Sequence, residues 1–403
     1  MRIAHMSDLH FSAGNLEESL KCFSASVDMA IEAKAEAAVI TGDSTDHALS
    51  AHDPALVALA RQVRRLADVM PVLMLQGTFS HEPPGTLAML AMVGAKYPIH
   101  KVDQIGQVGL RDGKFVTPAN GLTWNHAIDG AADLVFTAVP TVNKANVIPT
   151  GGDASEEYVE RLSAVMRSFG PVNTALMQDN IPTMGLGHGT IDGCETEHGI
   201  PMAGFDHEFS LDRVFSTGAD AFALGHIHKH QHWMLEGSRL QRAAYAGSIG
   251  RFNHGEIGAK GFLLWDVNPA KAEFQFMELP SQVTIDIRFD GPPDMAEIAR
   301  IAEQCKGARV RVVYEVDEEH RSSIDRQAIV DALKGAVDVQ ITGKVNAVQR
   351  RRAEGVSNES SLEKRLQVWA EVSGSDAAPL LQRLQVIDEQ PEAIVETILA
   401  ELA

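Results

Sequence analysis

An α/β protein is predicted, with a largely parallel sheet completed by antiparallel strands, and three observations carry it. Short apolar runs alternate with helix-spaced amphipathic stretches through residues 1–75. Two later apolar runs, 261–267 and 272–279, are separated only by a turn that contains Pro269. Five apolar runs are followed by Asp or His, four of them with a glycine in or beside the step.

The first strand is "RIAHM", residues 2–6. Residues 16–35 read as a helix, because Leu16, Leu20, Phe23, Val27 and Ile31 fall on one face. "AAVIT" (37–41) is the second strand, 54–68 the second helix and "PVLML" (71–75) the third strand. Such a βαβαβ opening implies parallel strands with helices on the sheet faces. "LVFTAV" (134–139), "AFAL" (221–224), "AAYAG" (243–247), "GFLLWDV" (261–267) and "AEFQFMEL" (272–279) follow, the last two as an antiparallel pair. An α/β sandwich is the expected result. Beyond Pro280 the texture changes. "QVTIDIRF", a helix at 294–305, "ARVRVVYEV", a helix at 323–335 and "VDVQITGKV" form a compact module. A polar basic linker, "QRRRAEGVSNESS", leads to a helical tail. There Leu362, Leu366, Trp369 and Val372 share a face, as do Ile394, Ile398 and Leu402 further on. The expected domains are therefore 1–280, 281–348 and 349–403.

Composition narrows the class. With 45% hydrophobic residues in 403, a full core can be built. Three cysteines (Cys22, Cys194, Cys305) are too few for a disulfide framework and point to a reducing, cytoplasmic setting. No secretory leader is expected from the opening residues, and no apolar run reaches the about 20 residues that span a bilayer. The net charge of −19, from 35 Lys+Arg against 54 Asp+Glu, argues against a general nucleic-acid binder. It leaves a nuclease open, since carboxylates around metal ions are neutralised locally.

Ligands of open α/β sheets sit outside the carboxyl ends of the strands. At those ends stand Asp8-Leu9-His10, Gly42-Asp43, Gly77 with His81, His188, and His226-Ile227-His228. Each alone has a bland reading as a solvated or packed side chain. Together they supply a mixed carboxylate and imidazole set, which suits two ions such as Mn²⁺, Fe²⁺ or Zn²⁺. An all-oxygen Mg²⁺ or Ca²⁺ site would use fewer imidazoles.

In order along the chain, "DLH", "GD", "GTFSHE", "GHG" and "GHIH" resemble the D-x-H, G-D, G-N-H-[DE], G-H and G-H-x-H motifs of the calcineurin-like metallophosphoesterases. The likeness covers roughly residues 1–280. A further block, "YAGSIGRFNHGEIGAKGFLLWDV", is similar to a segment of the SbcD-type nuclease subunits of DNA double-strand-break repair. The resemblance implies a four-layer α/β/β/α sandwich with a small α+β capping domain and a helical tail. It implies two divalent ions, Mn²⁺ foremost, with Fe²⁺ and Zn²⁺ as alternatives. Asp8, His10 and His228 would hold one ion, His188 and His226 the second, and Asp43 both. A hydroxide shared by the ions would attack phosphorus, His81 would assist the departing oxygen as an acid, and Arg251 would touch the phosphate backbone. DNA, a coiled-coil SMC-like ATPase and a second copy of the chain are the implied partners, with no membrane. Two alternatives stand beside this reading: a phosphatase of the same superfamily, and a non-catalytic DNA-end scaffold.

One motif departs from the pattern. The asparagine of G-N-H-[DE] is missing, and Ser80, directly before His81, is the expected replacement ligand, with Thr78 as its rival. A hydroxyl is a poorer ligand than an amide oxygen, so a weaker second site is expected. Asp46 and Glu82 are candidates for orienting the ligands. His5, His47, His52 and His100 read as structural or surface residues, and His230 and His232 as solvated. Cys194, His198 and His207 match no metal spacing, and Arg350–Arg352 read as a solvated linker.

Overall fold

The computed structural model describes residues 1–141, 154–196, 208–237, 239–256, 258–346 and 355–385, with 395 and 399. The chain opens with β1 (Arg2–Met6), α1 (Leu16–Glu32), β2 (Ala37–Ile40), α2 (Pro54–Ala67) and β3 (Val72–Leu75), then α3 (Thr86–Ala91) and β4 (Ile99–Val102). These four strands pair in parallel, in the order β4-β3-β2-β1. Helix α2 starts where its sequence says it should. The Asp53 side chain accepts from Ala55 N at 2.8 Å, and Pro54 occupies a position that needs no donor.

Next come β5 (Gly106–Arg111), β6 (Lys114–Val116), α4 (His126–Asp129), β7 (Leu134–Val139), α5 (Ala154–Gln178) and β8 (Thr183–His188). A short parallel pair, β9 (Thr190–Ile191) and β10 (Glu208–Phe209), precedes α6 (Leu211–Ser216). The sheet is then completed by β11 (Ala221–Gly225), β12 (Gln231–Glu236), β13 (Leu240–Tyr245), β14 (Gly261–Asn268) and β15 (Lys271–Glu278). Its 13 strands run β4-β3-β2-β1-β14-β15-β13-β11-β8-β7-β5-β6, with β12 on β13. The expected antiparallel pair is β14 with β15, in register from Gly261↔Glu278 to Asn268↔Lys271.

Side chains alternate across a strand, and the cores follow that alternation. Ala38 and Ile40 of β2 pack with Phe23 and Val27 of α1 and Leu59 and Val63 of α2. Their neighbours Ala37 and Val39 join Leu73 and Leu75 in a second cluster, together with Leu110, Phe136, Met184 and Trp265. A third cluster sets Leu162 and Met166 of α5 and Val214 of α6 against Phe222, Leu224 and Tyr245. Phe136 and Trp265 are fully buried, and each such side chain stabilises by roughly 1.5–3 kcal/mol.

Downstream lie β16 (Thr284–Phe289), α7 (Met295–Ile301), β17 (Arg309–Asp317), α8 (Arg326–Ala332) and β18 (Asp338–Asn346), whose strands order as β16-β17-β18. The tail holds α9 (Leu362–Ser373) and α10 (Ala378–Gln385). The chain divides into two compact units. The first is Met1–Arg288, Asp294–Val313 and Arg326–Thr342; the second is Phe289–Pro293, Tyr314–Asp325 and Gly343–Ala403. In the second unit Glu315 accepts from Lys344 at 2.9 Å and Asn346 at 3.0 Å. Ser361 caps α9 at Lys364 N and Gly374 ends it in the left-handed region, while Leu362, Trp369 and Val372 stay exposed. Among the described residues no helix is long and apolar enough to cross a membrane. His198, His207, Arg350–Arg352, Ile394, Ile398 and Leu402 lie outside the described residues.

Candidate metal centre

The site forms where β1, β2, β3, β8 and β11 end. Beyond β1 and β2 two segments run side by side. Asp8 N donates to Gly42 O (3.1 Å), His10 N to Asp43 O (3.0 Å) and Phe11 N to Ser44 O (3.1 Å). Asp8 (φ 52°), His10 (φ 44°), Asp43 (φ 52°) and His226 (φ 99°) all lie in the left-handed region. Non-glycine residues seldom hold that conformation, and it concentrates at functional sites.

Three groups of three emerge among the described residues. Asp8, His10 and His228 form the first, Asp43, His188 and His226 the second, and His10 is shared with a third that adds Asp46 and His81; the ligand atoms in each group lie within 4.8 Å of one another. Three of the imidazoles are oriented from behind. His188 Nδ1 donates to Thr41 O at 2.7 Å, His10 Nδ1 faces Asp46 Oδ1 at 3.2 Å, and His228 Nδ1 faces Glu256 Oε1 at 3.5 Å. With each Nδ1 carrying the proton, each Nε2 presents a lone pair inward. The Nε2 atoms of His10 and His228 converge to 3.0 Å. Two lone pairs so close repel unless a cation or proton lies between them, so the donor set fits divalent metal.

At the second group a proton on His188 takes the place of a cation beside Asp43. Burial alone would raise the Asp43 carboxyl, but the His188 imidazole beside it holds it well below the usual range. Burial would likewise lower His188, yet Asp43 outweighs it and raises the group to about 9. His226 is pushed down to about 4, by burial first and then by His188. The buried Glu82 accepts from Ser44 N and Gly77 N, both at 2.7 Å, and so ties the loop after β2 to the loop after β3.

Thr78, rather than Ser80, stands beside the second group. Its N–H donates to Asp43 Oδ1 (2.7 Å), and its hydroxyl lies 3.3 Å from Asp43 Oδ2 and 3.2 Å from His188 Nε2. Ser80 is exposed. The reason is the winding of the turn. Both His81 N and Glu82 N fold back onto Thr78 O, at 2.9 and 2.7 Å, which leaves Phe79 and Ser80 on the outside. His81 lies against His10 with ring centroids 4.9 Å apart, and its Nδ1 is buried without a hydrogen-bond partner. Burial lowers its pKa, against a smaller opposing pull from Asp43. It lines a cavity of about 290 Å³ with His10, Asn15, Asp43, Asp46, His226, His228, Phe252 and Asn253.

Arg251 is placed otherwise than expected. Its guanidinium donates to Ser281 Oγ (2.9 Å), Gln282 O (2.8 Å) and Gly258 O (2.6 Å), so it ties backbone segments together instead of facing the cavity. Glu256 pairs with Lys260 at 3.0 Å. Cys194 is buried in the third core cluster, and His5 is buried against Thr41 and Trp265. His100 stacks on Phe115, and His230 bonds Tyr245 O at 2.7 Å. His47 and His232 are exposed. In the sequence, Glu256 and Lys260 carry no site signal beyond their place in the "GEIGAK" stretch of the 245–267 block.

No family model and no curated protein matches the chain. A solved structure of a dimetal phosphatase from Danio rerio is similar at 10% identity, covering 68% of this chain and 98% of that chain, with a TM-score of 0.38. A likeness at that level carries no argument, and the site's own geometry has to bear the assignment.

Proposed function

We propose that the chain is a two-metal phosphodiesterase that cleaves DNA. One observation carries the metal part: two Asp/His groups sit side by side at strand ends, at one polar cavity. Asp8, His10 and His228 would hold one ion and Asp43, His188 and His226 the other, with Asp43 shared. Two such ions supply Lewis-acid polarisation of phosphoryl oxygens and a lowered pKa for bound water. The chain's own contribution is to fix that geometry. Thr78 holds both oxygens of Asp43, Glu82 locks the two loops, and His81 offers a neutral imidazole N–H toward a phosphoryl or departing oxygen.

The finer reading is supported by the sequence likeness at "YAGS…KGF". It comprises a four-layer α/β/β/α sandwich, a DNA substrate, Mn²⁺ as the working ion, a dimer, and a coiled-coil ATPase covering the apolar face of α9. The core clusters are compatible with those layers, because β2 sends alternate side chains to the helices and to the strands opposite.

The test is hydrolysis of single- and double-stranded DNA, a bis-aryl phosphodiester and an aryl phosphomonoester, in Mn²⁺ and in Mg²⁺. The expected result is Mn²⁺-dependent cleavage of DNA and diester. Asp43→Ala should abolish it, and His81→Ala should lower it by roughly 10²–10⁴-fold without loss of bound metal. Monoester turnover alone would mean a phosphatase. Failure of the wild-type chain to bind metal would leave the scaffold reading.

A further inference from the structure

Behind His228, the carboxylate of Glu256 belongs to a buried ionic pair with Lys260. Glu256 and Lys260 are 2% and 1% exposed. Their charges meet at 3.0 Å. Burying two charges is costly, and replacing such a pair by apolar residues is often neutral or stabilising. A fold gains little from keeping this pair for stability alone, so its contacts need an account.

The pair's carboxylate and ammonium contacts include four that reach His228 or the residues beside the cavity. Glu256 Oε1 faces His228 Nδ1 and accepts from Asn253 Nδ2 at 3.1 Å. Glu256 Oε2 accepts from Phe252 N at 3.3 Å. Lys260 Nζ donates to His228 O at 3.1 Å and to Ser248 Oγ at 2.9 Å. The pair therefore grips His228 twice, by ring and by carbonyl. It also holds Phe252 and Asn253, which line the cavity. On its far side, Glu256 O accepts from Thr284 Oγ1.

We infer that Glu256 and Lys260 are positioning residues. Glu256 keeps the His228 proton on Nδ1, so that Nε2 stays free for an ion. Lys260 compensates that carboxylate and fixes the backbone that carries the ring. Carboxylate partners of ligating histidines act in this way, and their loss commonly weakens metal affinity 10–100-fold. The inference deepens the two-metal reading and rests on it.

The test is calorimetric titration of the metal-free full chain with Mn²⁺, for wild type, Glu256→Gln, and the apolar double variant Glu256→Leu with Lys260→Met. Wild type should bind two equivalents. Glu256→Gln should weaken one equivalent by roughly tenfold and leave the other unchanged. The double variant removes both charges at once and should fold with a melting temperature near wild type, yet still bind one equivalent 10–100-fold more weakly. In a His228→Ala background, Glu256→Gln should have no further effect on metal binding. Two tight equivalents in a folded double variant would overturn the inference and leave the two-metal reading standing. No binding by wild type would overturn that reading itself. If Glu256→Gln does not fold, the double variant decides alone.

Discussion

At the scale of single residues, Thr78 is the sharpest point of difference. A strand end followed by "GTFSHE" shows that a ligand-bearing loop is present. Which hydroxyl faces inward depends on how the turn winds, and spacing does not encode that. Thr78→Ala should weaken binding of the second Mn²⁺ by roughly tenfold, whereas Ser80→Ala should leave both equivalents unchanged in calorimetry. Opposite ranks would return the role to Ser80. His5 gives a second prediction. Burial, with a smaller push from His230, lowers its pKa to about 3, from 6.5 for an exposed histidine. Its folded form is therefore neutral, and between those two values the unfolded chain binds the extra proton. The stability it contributes is complete above pH 6.5 and is lost as the pH falls toward 3, by at most about 1.4 kcal/mol per pH unit. Urea unfolding from pH 7 to 4 should show that slope reduced in His5→Gln. An unchanged slope would assign the loss to other groups.

At the scale of elements, the strand ends carry the chemistry, and glycines let them meet. Gly42 has φ 93°, and a Cβ there would overlap His188 Nδ1 and crowd Gly77 Cα. Gly42→Ala should cost ~2 kcal/mol or more and disturb the ring that Thr41 O orients. Its signature in denaturation and metal titration would be loss of both stability and the second equivalent. Loss of stability alone would separate the loop from the site. The parallel opening and the β14-β15 pair were legible because their apolar runs are set off by helix-spaced stretches or by the turn at Pro269. The short strands β5, β6 and β12 were not, since each is partly exposed or brief and lacks a strong period. Helix α5 is hard to read from the sequence for a related reason. Gly170-Pro171 interrupts its pattern, although Pro171 lies inside the helix and a Cβ on Gly170 would crowd Ser216 O.

At the scale of the whole molecule, the loop at 251–256 links the site to residues beyond Pro280. Arg251 N and Gln282 N both donate to Glu18 Oε1, at 3.2 and 2.6 Å, Arg309 donates to Arg251 O at 3.1 Å, and His254 pairs with Asp338 at 2.8 Å. A chain ended at 280 loses those ties and should show a lower melting temperature and weaker metal binding. One ended at 346 should keep both. Equal metal binding by the two truncations would mean that the first 280 residues suffice. The sequence by itself determined the ligand types, their order and the strand ends that carry them, because alternation and helical spacing are local and each motif lies within a few residues. Only the tertiary structure decided that Thr78 faces in, that the Arg251 guanidinium bonds Ser281, Gln282 and Gly258, and that Glu256 and Lys260 stand behind His228. Those pairings join positions far apart along the chain, and only packing brings them within hydrogen-bond reach.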